Sequence, residues 1–339
     1  MRNGILAGGN WIIDQIKTID SYPAQEELAI IIEEGKSNGG SPYNLLKDLA
    51  RLEAPFPLEA VGIVGNDERG KFIINECKSL GICTDQLVST EKAATSYTDV
   101  MSLQISGKRT FFHSRGANAL LDELNFDFSR SNAKIFHLGY LLMLDKLDIL
   151  HDDGNTGASN IFKSAKNNGF LTSADLVSVR TGWFKKVIPP SLPFIDFLFI
   201  NEIEARMLTG IETVTSSGEI SVENCYKAAS AIIEMGVQQW VFLHYQYGVF
   251  SMSSGKETIY QPGIQMTDEG IKGTVGAGDA FAAGLLLGIH EDFGIKTSLD
   301  LGVCAAASCL SSPTCSDGIA PYKECLSFAE KYGYRKMPG

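Results

Sequence analysis

A glycine-rich turn that leads into an apolar segment is the part of this sequence best suited to binding a phosphate group. It runs from Lys272 to Phe281 as KGTVGAGDAF and continues as AAGLLLGIH, a run of small and apolar residues. The first amides of a helix have no intrahelical partners and lie at the positive end of its dipole, so a helix that begins here exposes an anion site. Asp279 falls in its first turn. The carboxylate either caps the helix or accepts a proton from a hydroxyl that attacks the bound phosphate.

Two further segments carry polar groups suited to binding hydroxyls. The segment from Asn38 to Asn44, NGGSPYN, joins a Gly-Gly turn to a helix start at which Ser41 is the expected cap. An amide beside exposed backbone groups suits a hydroxyl ligand, although such a turn can also be a plain connection. At the end of the first strand, Asp14 is either a surface charge or an acceptor of two hydrogen bonds from vicinal hydroxyls.

A fourth segment suggests a site for oxygen-liganded magnesium. Asn201 and Glu204 are three residues apart, so they lie on one face of a helix that begins where an apolar strand ends. They are either a solvated helix start or ligands near a hydrated magnesium ion.

The elements that position these residues alternate between apolar strands and amphipathic helices. Helices are predicted from Ser41, from Asp67 to Leu80, from Ser221 to Met235 and from Tyr322 to Tyr332. Strands are predicted at residues 4–6 extending toward 13, and at 61–64, 135–138, 170–174, 194–200, 240–243 and 249–252. From about residue 134 this alternation favours a mostly parallel sheet covered by helices on both faces. Residues 26–37 and 95–113 instead resemble antiparallel strands, the second with a Ser106-Gly107 turn, and predict a small β appendage.

Composition limits the classes of partner. The chain has 339 residues and a formal net charge of −11 with no local basic patch, which argues against nucleic-acid binding. Its seven cysteines include no C-x-x-C pair, so we expect free thiols in a reducing compartment. The sequence shows neither a signal peptide nor a stretch long and apolar enough to span a bilayer. We therefore expect a cytoplasmic protein that does not contact a membrane.

Six short motifs occur in the order typical of one kinase family. They are Gly-x-x-x-x-Asp (9–14), Gly-Gly-x-x-x-Asn (39–44), Val-Gly-x-Asp-x-x-Gly (64–70), Arg-Gly-Ala-Asn (115–118), Asn-x-x-Glu (201–204) and Gly-Ala-Gly-Asp (276–279). Each is weak alone, but their ordered coincidence over nearly the whole chain is specific. On these motifs the chain resembles the PfkB/ribokinase family of carbohydrate kinases.

The resemblance implies a fold and a reaction. The fold is a ribokinase-like three-layer αβα sandwich with a mostly parallel central sheet and a small β-sheet lid. We expect one domain over residues 1–339, with lid strands within about 11–38 and 95–115. The reaction is transfer of the γ-phosphoryl group of ATP, with Mg²⁺, to a hydroxyl of a small sugar or sugar-like substrate. A homodimer through the lid is also possible in such a protein.

The resemblance also assigns residues to roles. Asp279 is the base, and the amides of Gly276, Ala277 and Gly278 form the anion hole. The substrate side comprises Asp14, Asn10, Gly39, Gly40, Asn44 and Arg115. The nucleotide side comprises Thr274, Gly248 and Asn201, and Glu204 with Asn201 lies near the magnesium ion.

The sequence departs from the family pattern in three places, all on the nucleotide side. Gly273 replaces an aspartate that in the family helps to hold a monovalent cation, so such a cation is doubtful here. Leu243 and Tyr245 stand where the family usually has Thr-x-Gly along the nucleotide. The segment that starts at Asp175 lacks the asparagine of the usual Asp-x-Asn.

Two alternatives therefore remain open at this point. An adenosine-type nucleoside kinase would need an apolar slot, which Trp11 and Phe112 could supply, although each is more typical of a core residue. A ligand-binding relative with weakened nucleotide use would explain the three departures.

Overall fold

The computed structural model describes residues 2–179 and 182–338, and within them thirteen strands form two sheets. The strands are β1 (Ile5–Gly9), β2 (Ile12–Ile19), β3 (Ile31–Gly39), β4 (Leu58–Gly65), β5 (Cys83–Thr90), β6 (Tyr97–Leu103), β7 (Arg109–Ser114), β8 (Ile135–Leu141), β9 (Leu171–Leu176), β10 (Phe197–Asn201), β11 (Trp240–Tyr245), β12 (Gly248–Ser253) and β13 (Thr258–Pro262). The larger sheet has the order β13-β12-β11-β10-β9-β8-β1-β4-β5. Its strands are parallel from β5 to β11, and β12 and β13 add an antiparallel edge.

Helices cover both faces of this sheet. In the described residues they are α1 (Ser41–Arg51), α2 (Glu68–Ser79), α3 (Gly157–Asn167), α4 (Phe184–Val187), α5 (Glu202–Thr209), α6 (Val222–Glu234), α7 (Ala277–His290), α8 (Ile295–Leu310) and α9 (Tyr322–Tyr332). Alternate residues of a strand point to opposite faces. In β10, Phe197 and Phe199 pack into the core under α7 and α8, whereas Leu198 and Ile200 pack into the core under α5 and α6. The predicted three-layer arrangement is confirmed.

The smaller sheet forms the lid, with the order β3-β2-β6-β7. As predicted, the two segments form antiparallel pairs at the outer sides of the lid, β3 with β2 and β6 with β7, whereas the inner pair of β2 and β6 is parallel. The first predicted strand also divides in two: β1 lies in the central sheet and β2 in the lid. In the other lid segment, β3 begins at Ile31 rather than near Glu26 and extends to Gly39.

Of the predicted helix caps, two are found in the structure and one is not. Asp67 caps α2 and Ser221 caps α6, as predicted. The cap of α1, however, is Gly40 rather than Ser41. The hydroxyl of Ser41 is instead directed into the core, where it donates to Asp175 over 2.5 Å.

All seven cysteines lie in the described residues and are unpaired there. No helix formed by residues 2–179 and 182–338 is long and apolar enough to cross a membrane.

Candidate active site

The first turn of α7 has the form expected of an anion site. Its cap, Gly276, is in the left-handed conformation with φ 84°. A Cβ atom on this residue would lie 2.8 Å from the carbonyl oxygen of Cys315, so a larger residue would have to displace backbone. Ala277 and Gly278 follow, in the turn where helix amides have no internal acceptors. The turn can therefore bind anionic oxygens through backbone groups alone.

Two donors from other elements hold the carboxylate of Asp279. The side-chain amide of Asn44 donates to Oδ2 over 2.8 Å, and the hydroxyl of Tyr140 donates to the same oxygen over 3.1 Å. Asp279 is only 8% exposed. The hydrogen bonds from α1 and β8 therefore fix its orientation. In the sequence, the one signal for Tyr140 is its place near the carboxyl end of a parallel strand, where ligands bind in α/β sheets.

The environment of Asp279 sets its protonation. Burial raises the pKa of its carboxyl to about 7, and the negative charge of Asp175 adds to the increase. The hydrogen bonds from Asn44 and Tyr140 lower the pKa, and the charge of Asp14 raises it slightly. A carboxylate whose pKa lies near 7 is well matched to accept a proton at neutral pH.

The turn before α1 positions Asn44. Gly40 has φ 85°, and a Cβ atom there would lie 2.0 Å from the carbonyl oxygen of Asn10, so glycine is required. The amide of Asn38 donates to Oδ1 of Asn44 over 2.7 Å. Because that oxygen is occupied, the amide nitrogen of Asn44 is the group that faces Asp279.

Asp14 lies on the lid strand β2 and faces the space below the lid. Burial raises the pKa of its carboxyl to about 7, although a hydrogen bond from Thr98 and the charge of Arg109 lower it. A Cβ atom on Gly39 would lie 2.5 Å from its Oδ1, so the glycine at this position leaves room for the carboxylate.

A cavity of about 680 Å³, which we call the lid cavity, lies between the lid and the carboxyl edge of the central sheet. The predicted site residues in its lining are Asp14, Gly40, Asn44, Arg115, Asn201, Glu204, Gly276, Gly278 and Asp279. Two predicted substrate residues do not line it. Asn10 is buried, and its amide donates to the carbonyl oxygen of Met143 over 3.1 Å, while Gly39 makes room for Asp14.

The Arg-Gly-Ala-Asn motif divides between the cavity and the scaffold. Arg115 lines the lid cavity and pairs with Asp145, with half of its side chain exposed. Asn118 is buried and exchanges two hydrogen bonds of 3.1 Å with the backbone of Trp11. It therefore fixes the chain where β1 of the central sheet passes into β2 of the lid.

Asp175 lies at the floor of the lid cavity, at the carboxyl end of β9. Its Oδ2 accepts from Ser41, whose oxygen lies 2.9 Å from Nε2 of His137. Its Oδ1 is buried and has no hydrogen-bond partner in the described residues. In the sequence, Asp175 stands out only because the usual asparagine is missing after it.

Asn201 and Glu204 form a capping box at the start of α5. Oε2 of Glu204 accepts from the backbone amide of Asn201 over 3.0 Å, and Oε1 accepts from Ser178 over 2.8 Å. Burial raises the pKa of the Glu204 carboxyl to about 7. Both residues also line the lid cavity, so the structural and the ligand-binding interpretations are compatible.

These residues fit a magnesium ion that arrives with a nucleotide better than a protein-only metal site. Among the described residues, no three His, Cys, Asp or Glu side chains are close enough together to hold a metal ion. Mg²⁺ is usually held by one or two carboxylates with substrate phosphates and water. The Glu204 carboxylate, whose oxygens each accept one hydrogen bond, and the unpartnered Oδ1 of Asp175 are two groups of the lid-cavity lining suited to such an ion or its water ligands.

A second cavity of about 490 Å³, the hairpin cavity, lies beside the β11–β12 edge of the sheet. Thr274 and Gly248, predicted on the nucleotide side, line it, as does Ala277. Tyr245 contributes to its wall, whereas Leu243 is fully buried in the core. Of the two departures from Thr-x-Gly, Tyr245 therefore lies in the wall of this cavity and Leu243 lies in the core behind that wall. Asn201, also predicted on the nucleotide side, lines the lid cavity instead.

Comparisons with known proteins show the family and agree with the fold. A family model described as pfkB family carbohydrate kinase matches residues 6–321. A ribokinase of Haemophilus influenzae is 26% identical over 295 residues, which are 86% of this chain and 87% of that protein. Fructokinase-2 of Solanum habrochaites is 25% identical over 300 residues, covering 85% of this chain and 82% of that protein. The structure of Arabidopsis thaliana ribokinase, solved with ribose and ATP, superposes with a TM-score of 0.80 at 23% identity, covering 97% of this chain and 99% of the other.

Proposed function

The chain belongs to the pfkB family of carbohydrate kinases, and we propose that it transfers the γ-phosphoryl group of ATP to a hydroxyl of a sugar or sugar-like polyol. In this proposal the lid cavity holds the acceptor and the hairpin cavity holds the nucleotide. The names of the ribokinase and fructokinase relatives support a small sugar as the acceptor.

The proposed transfer is an in-line displacement. The acceptor oxygen forms a bond to the γ-phosphorus while the bond from that phosphorus to the β,γ-bridging oxygen breaks. ADP leaves with the electron pair of that bond, and the hydroxyl proton passes to the carboxylate of Asp279. The backbone amides of Gly276, Ala277 and Gly278 stabilise the charge on the phosphoryl oxygens.

One observation carries this proposal: the first turn of α7 is shared by the two cavities. Gly276, Gly278 and Asp279 line the lid cavity, while Ala277 and Gly278 line the hairpin cavity. A phosphate can therefore reach the anion site from one side and a hydroxyl can reach Asp279 from the other. In-line transfer needs this arrangement.

The charge of the lid cavity supports use of ATP with magnesium. Its lining contains four carboxylates, at Asp14, Asp175, Glu204 and Asp279. A polyphosphate brought to its edge needs a counter-charge, and a bound Mg²⁺ neutralises charge on the phosphate oxygens and supplies this effect. Glu204 and Asp175 then hold the ion or its water ligands.

The aromatic slot expected of a nucleoside kinase does not form from the two residues suggested. Trp11 is fully buried in the core, with its indole N–H bound to the carbonyl of Val61 over 2.9 Å. Phe112, expected in the core, is instead 52% exposed on the lid. The presence of the hairpin cavity favours a kinase that still binds a nucleotide over a ligand-binding relative with weakened nucleotide use.

An ATP-consumption screen over hexoses, pentoses, polyols and adenosine tests the proposal. We expect turnover with at least one sugar or polyol and weak or no turnover with adenosine. Preference for adenosine would establish the nucleoside kinase. Binding of ATP with magnesium, but no turnover with any acceptor, would favour the weakened relative.

Removal of the Tyr140 hydroxyl should change the pH dependence of turnover. Asp279 accepts a proton only when ionised, so activity rises with pH through its pKa of about 7. The hydroxyl of Tyr140 stabilises the ionised form, so Tyr140→Phe should raise that pKa. A hydrogen bond to a charged group is worth about 1.5–3 kcal/mol, which corresponds to a shift of the acid limb by about 1–2 pH units upward.

The measurement is kcat/KM from pH 5.5 to 9.5. Tyr334→Phe removes a surface hydroxyl that binds Asp300 and serves as the matched control. Lower activity at pH 7 with recovery near pH 9 supports the assignment. A uniform loss of kcat/KM across the pH range would mean that Tyr140 contributes only to packing.

Turnover should be nearly independent of potassium. A Cβ atom on Gly273 would lie 2.7 Å from the carbonyl oxygen of Ser312, so the space for an aspartate at this position is filled by backbone. Asp268 and Glu269, the carboxylates just upstream, are exposed on a short turn. Without a carboxylate, a hard monovalent ion loses its strongest ligand. Initial rates with potassium, sodium or a bulky organic cation at equal ionic strength test this, and a several-fold stimulation by potassium alone would contradict it.

We also propose that two chains associate through their lids. Several apolar side chains of the lid and its connecting loops are exposed and could be covered by a partner: Leu28, Ile30, Ile31, Ile32, Ile105 and Phe112. A surface this apolar is typical of an interface.

The seven free thiols further support a reducing compartment such as the cytoplasm.

A further inference from the structure

His244 lies at the junction of the two cavities, and the proposed mechanism does not yet use it. It is on β11 near the carboxyl edge of the sheet, in register with Asn201 on β10 and Val249 on β12. Together with Gly278 it lines both the lid cavity and the hairpin cavity. A side chain in this place faces the path between the nucleotide and the acceptor.

The imidazole ring lies against the first turn of α7. A Cβ atom built on Gly278 would be 3.3 Å from Cε1 of His244 and 3.7 Å from its Nε2. The ring also packs on Phe281, with centroids 6.0 Å apart and an interplanar angle of 43°. These contacts hold an edge of the ring beside the turn that binds phosphate.

The ring nitrogens have no hydrogen-bond partner elsewhere in the described part of the chain, where every other histidine near the central sheet has one. His137, for example, bonds to Ser41 and Ser173 over 2.9 Å each, and His290 accepts from the amide of Gly4. Burial lowers the pKa of His244 to about 4, although the charge of Asp175 opposes this. At neutral pH the ring is therefore uncharged and carries one N–H donor. The ring is only partly buried and opens onto the two cavities that it lines, so a ligand in either cavity can reach its nitrogens.

We propose that His244 is a positioning residue whose imidazole N–H donates a hydrogen bond to a phosphate oxygen of the bound nucleotide, holding the γ-phosphoryl group over the first turn of α7. The inference rests on the proposed function, since it assumes that the hairpin cavity holds the nucleotide. A neutral donor suits this place. A positively charged ring would also be attracted to the carboxylates of the lid cavity, which would compete with the phosphate for it. The simpler alternative is a packing residue that supports Phe281.

Three substitutions separate these roles. His244→Leu and His244→Phe remove the donor, and the second keeps a flat ring against Phe281. His244→Gln keeps an N–H donor at a similar reach. His151→Leu makes the same chemical change at an exposed histidine and is the matched control.

We expect His244→Leu and His244→Phe to lower kcat/KM for ATP by about 10–100-fold, the effect of one lost hydrogen bond to a charged group. His244→Gln should stay within about fivefold of the wild type, and KM for the acceptor should not change. Near-wild-type kcat/KM for ATP in both donor-free variants would overturn the proposal.

Calorimetry with ATP-magnesium and with adenosine gives a second test that does not depend on turnover. Loss of the donor should weaken binding of ATP but not of adenosine, which has no phosphate. Equal weakening of both ligands would show that the residue only packs, and would overturn the proposal. If no acceptor is ever phosphorylated, the proposed function fails, while these titrations still decide the role of His244.

Discussion

Asp279→Asn should lower kcat by about 10²–10⁴-fold, the usual contribution of a general base, with a smaller effect on KM. The amide is close in size to the carboxylate and can stay between Asn44 and Tyr140, but it cannot accept the proton of the acceptor hydroxyl. The anion site should be intact, because it is made of backbone amides. Steady-state rates with ATP and the best acceptor from the screen measure this effect.

The control for this variant separates chemistry from folding. Asp153→Asn makes the same change at a fully exposed carboxylate and should leave the rate unchanged. Calorimetry should show that Asp279→Asn still binds ATP-magnesium and the acceptor. A kcat close to that of the wild type would show that Asp279 is not the base.

Asp14→Ala should weaken binding of the acceptor by roughly 1–3 kcal/mol, a factor of about 5–150, because hydroxyls that the carboxylate held lose their partner. Asp14 lies on the lid and lines only the lid cavity of the two described, so the affinity for ATP should hardly change. Titration of the variant with the acceptor, and separately with ATP-magnesium, gives both numbers.

A second lid carboxylate provides the matched control. Asp99 is on β6 beside Thr98, so its side chain points to the opposite face of the lid, where it pairs with Lys17. Asp99→Ala should leave binding of the acceptor unchanged. Equal losses of acceptor and ATP affinity in Asp14→Ala would mean that Asp14 only supports the lid.

The parts of the site that can be predicted from the sequence are those formed by residues that are adjacent in the chain. Gly276 to Asp279 form one helix turn, so the motif itself contains the anion site and the carboxylate. The same is true of Gly40 and Asn44, since the left-handed turn and the helix it starts are local. The alternation of strands and helices likewise predicts the three layers.

The parts that were missed depend on contacts between distant segments. Tyr140 meets Asp279 across 139 positions, and Ser41 meets Asp175 across 134. In sequence, Tyr140 and His244 are single residues at the ends of apolar strands, like many core residues. Ser41 has the residue type of a helix cap, and only the packed fold shows that its hydroxyl bonds elsewhere.

The strands that were missed are those with the weakest pattern. β5 buries only two of its eight residues, Gln86 and Leu87, and β13 is a five-residue edge strand that ends in proline. Their places are set by pairing with β4 and β12. The parallel pairing of β2 with β6 also depends on contacts over about 80 positions, which no local pattern specifies.

The γ-phosphoryl group itself provides the most direct test of the central claim. ATP labelled with ³²P at the γ position is incubated with magnesium and each sugar, and the products of the wild type and of Asp279→Asn are separated. We predict that the wild type moves the label onto a sugar at the rate at which ADP forms, and that Asp279→Asn loses this transfer while it still binds both substrates. Label that appears only as inorganic phosphate, or transfer to sugar that is as fast in Asp279→Asn as in the wild type, would contradict the account.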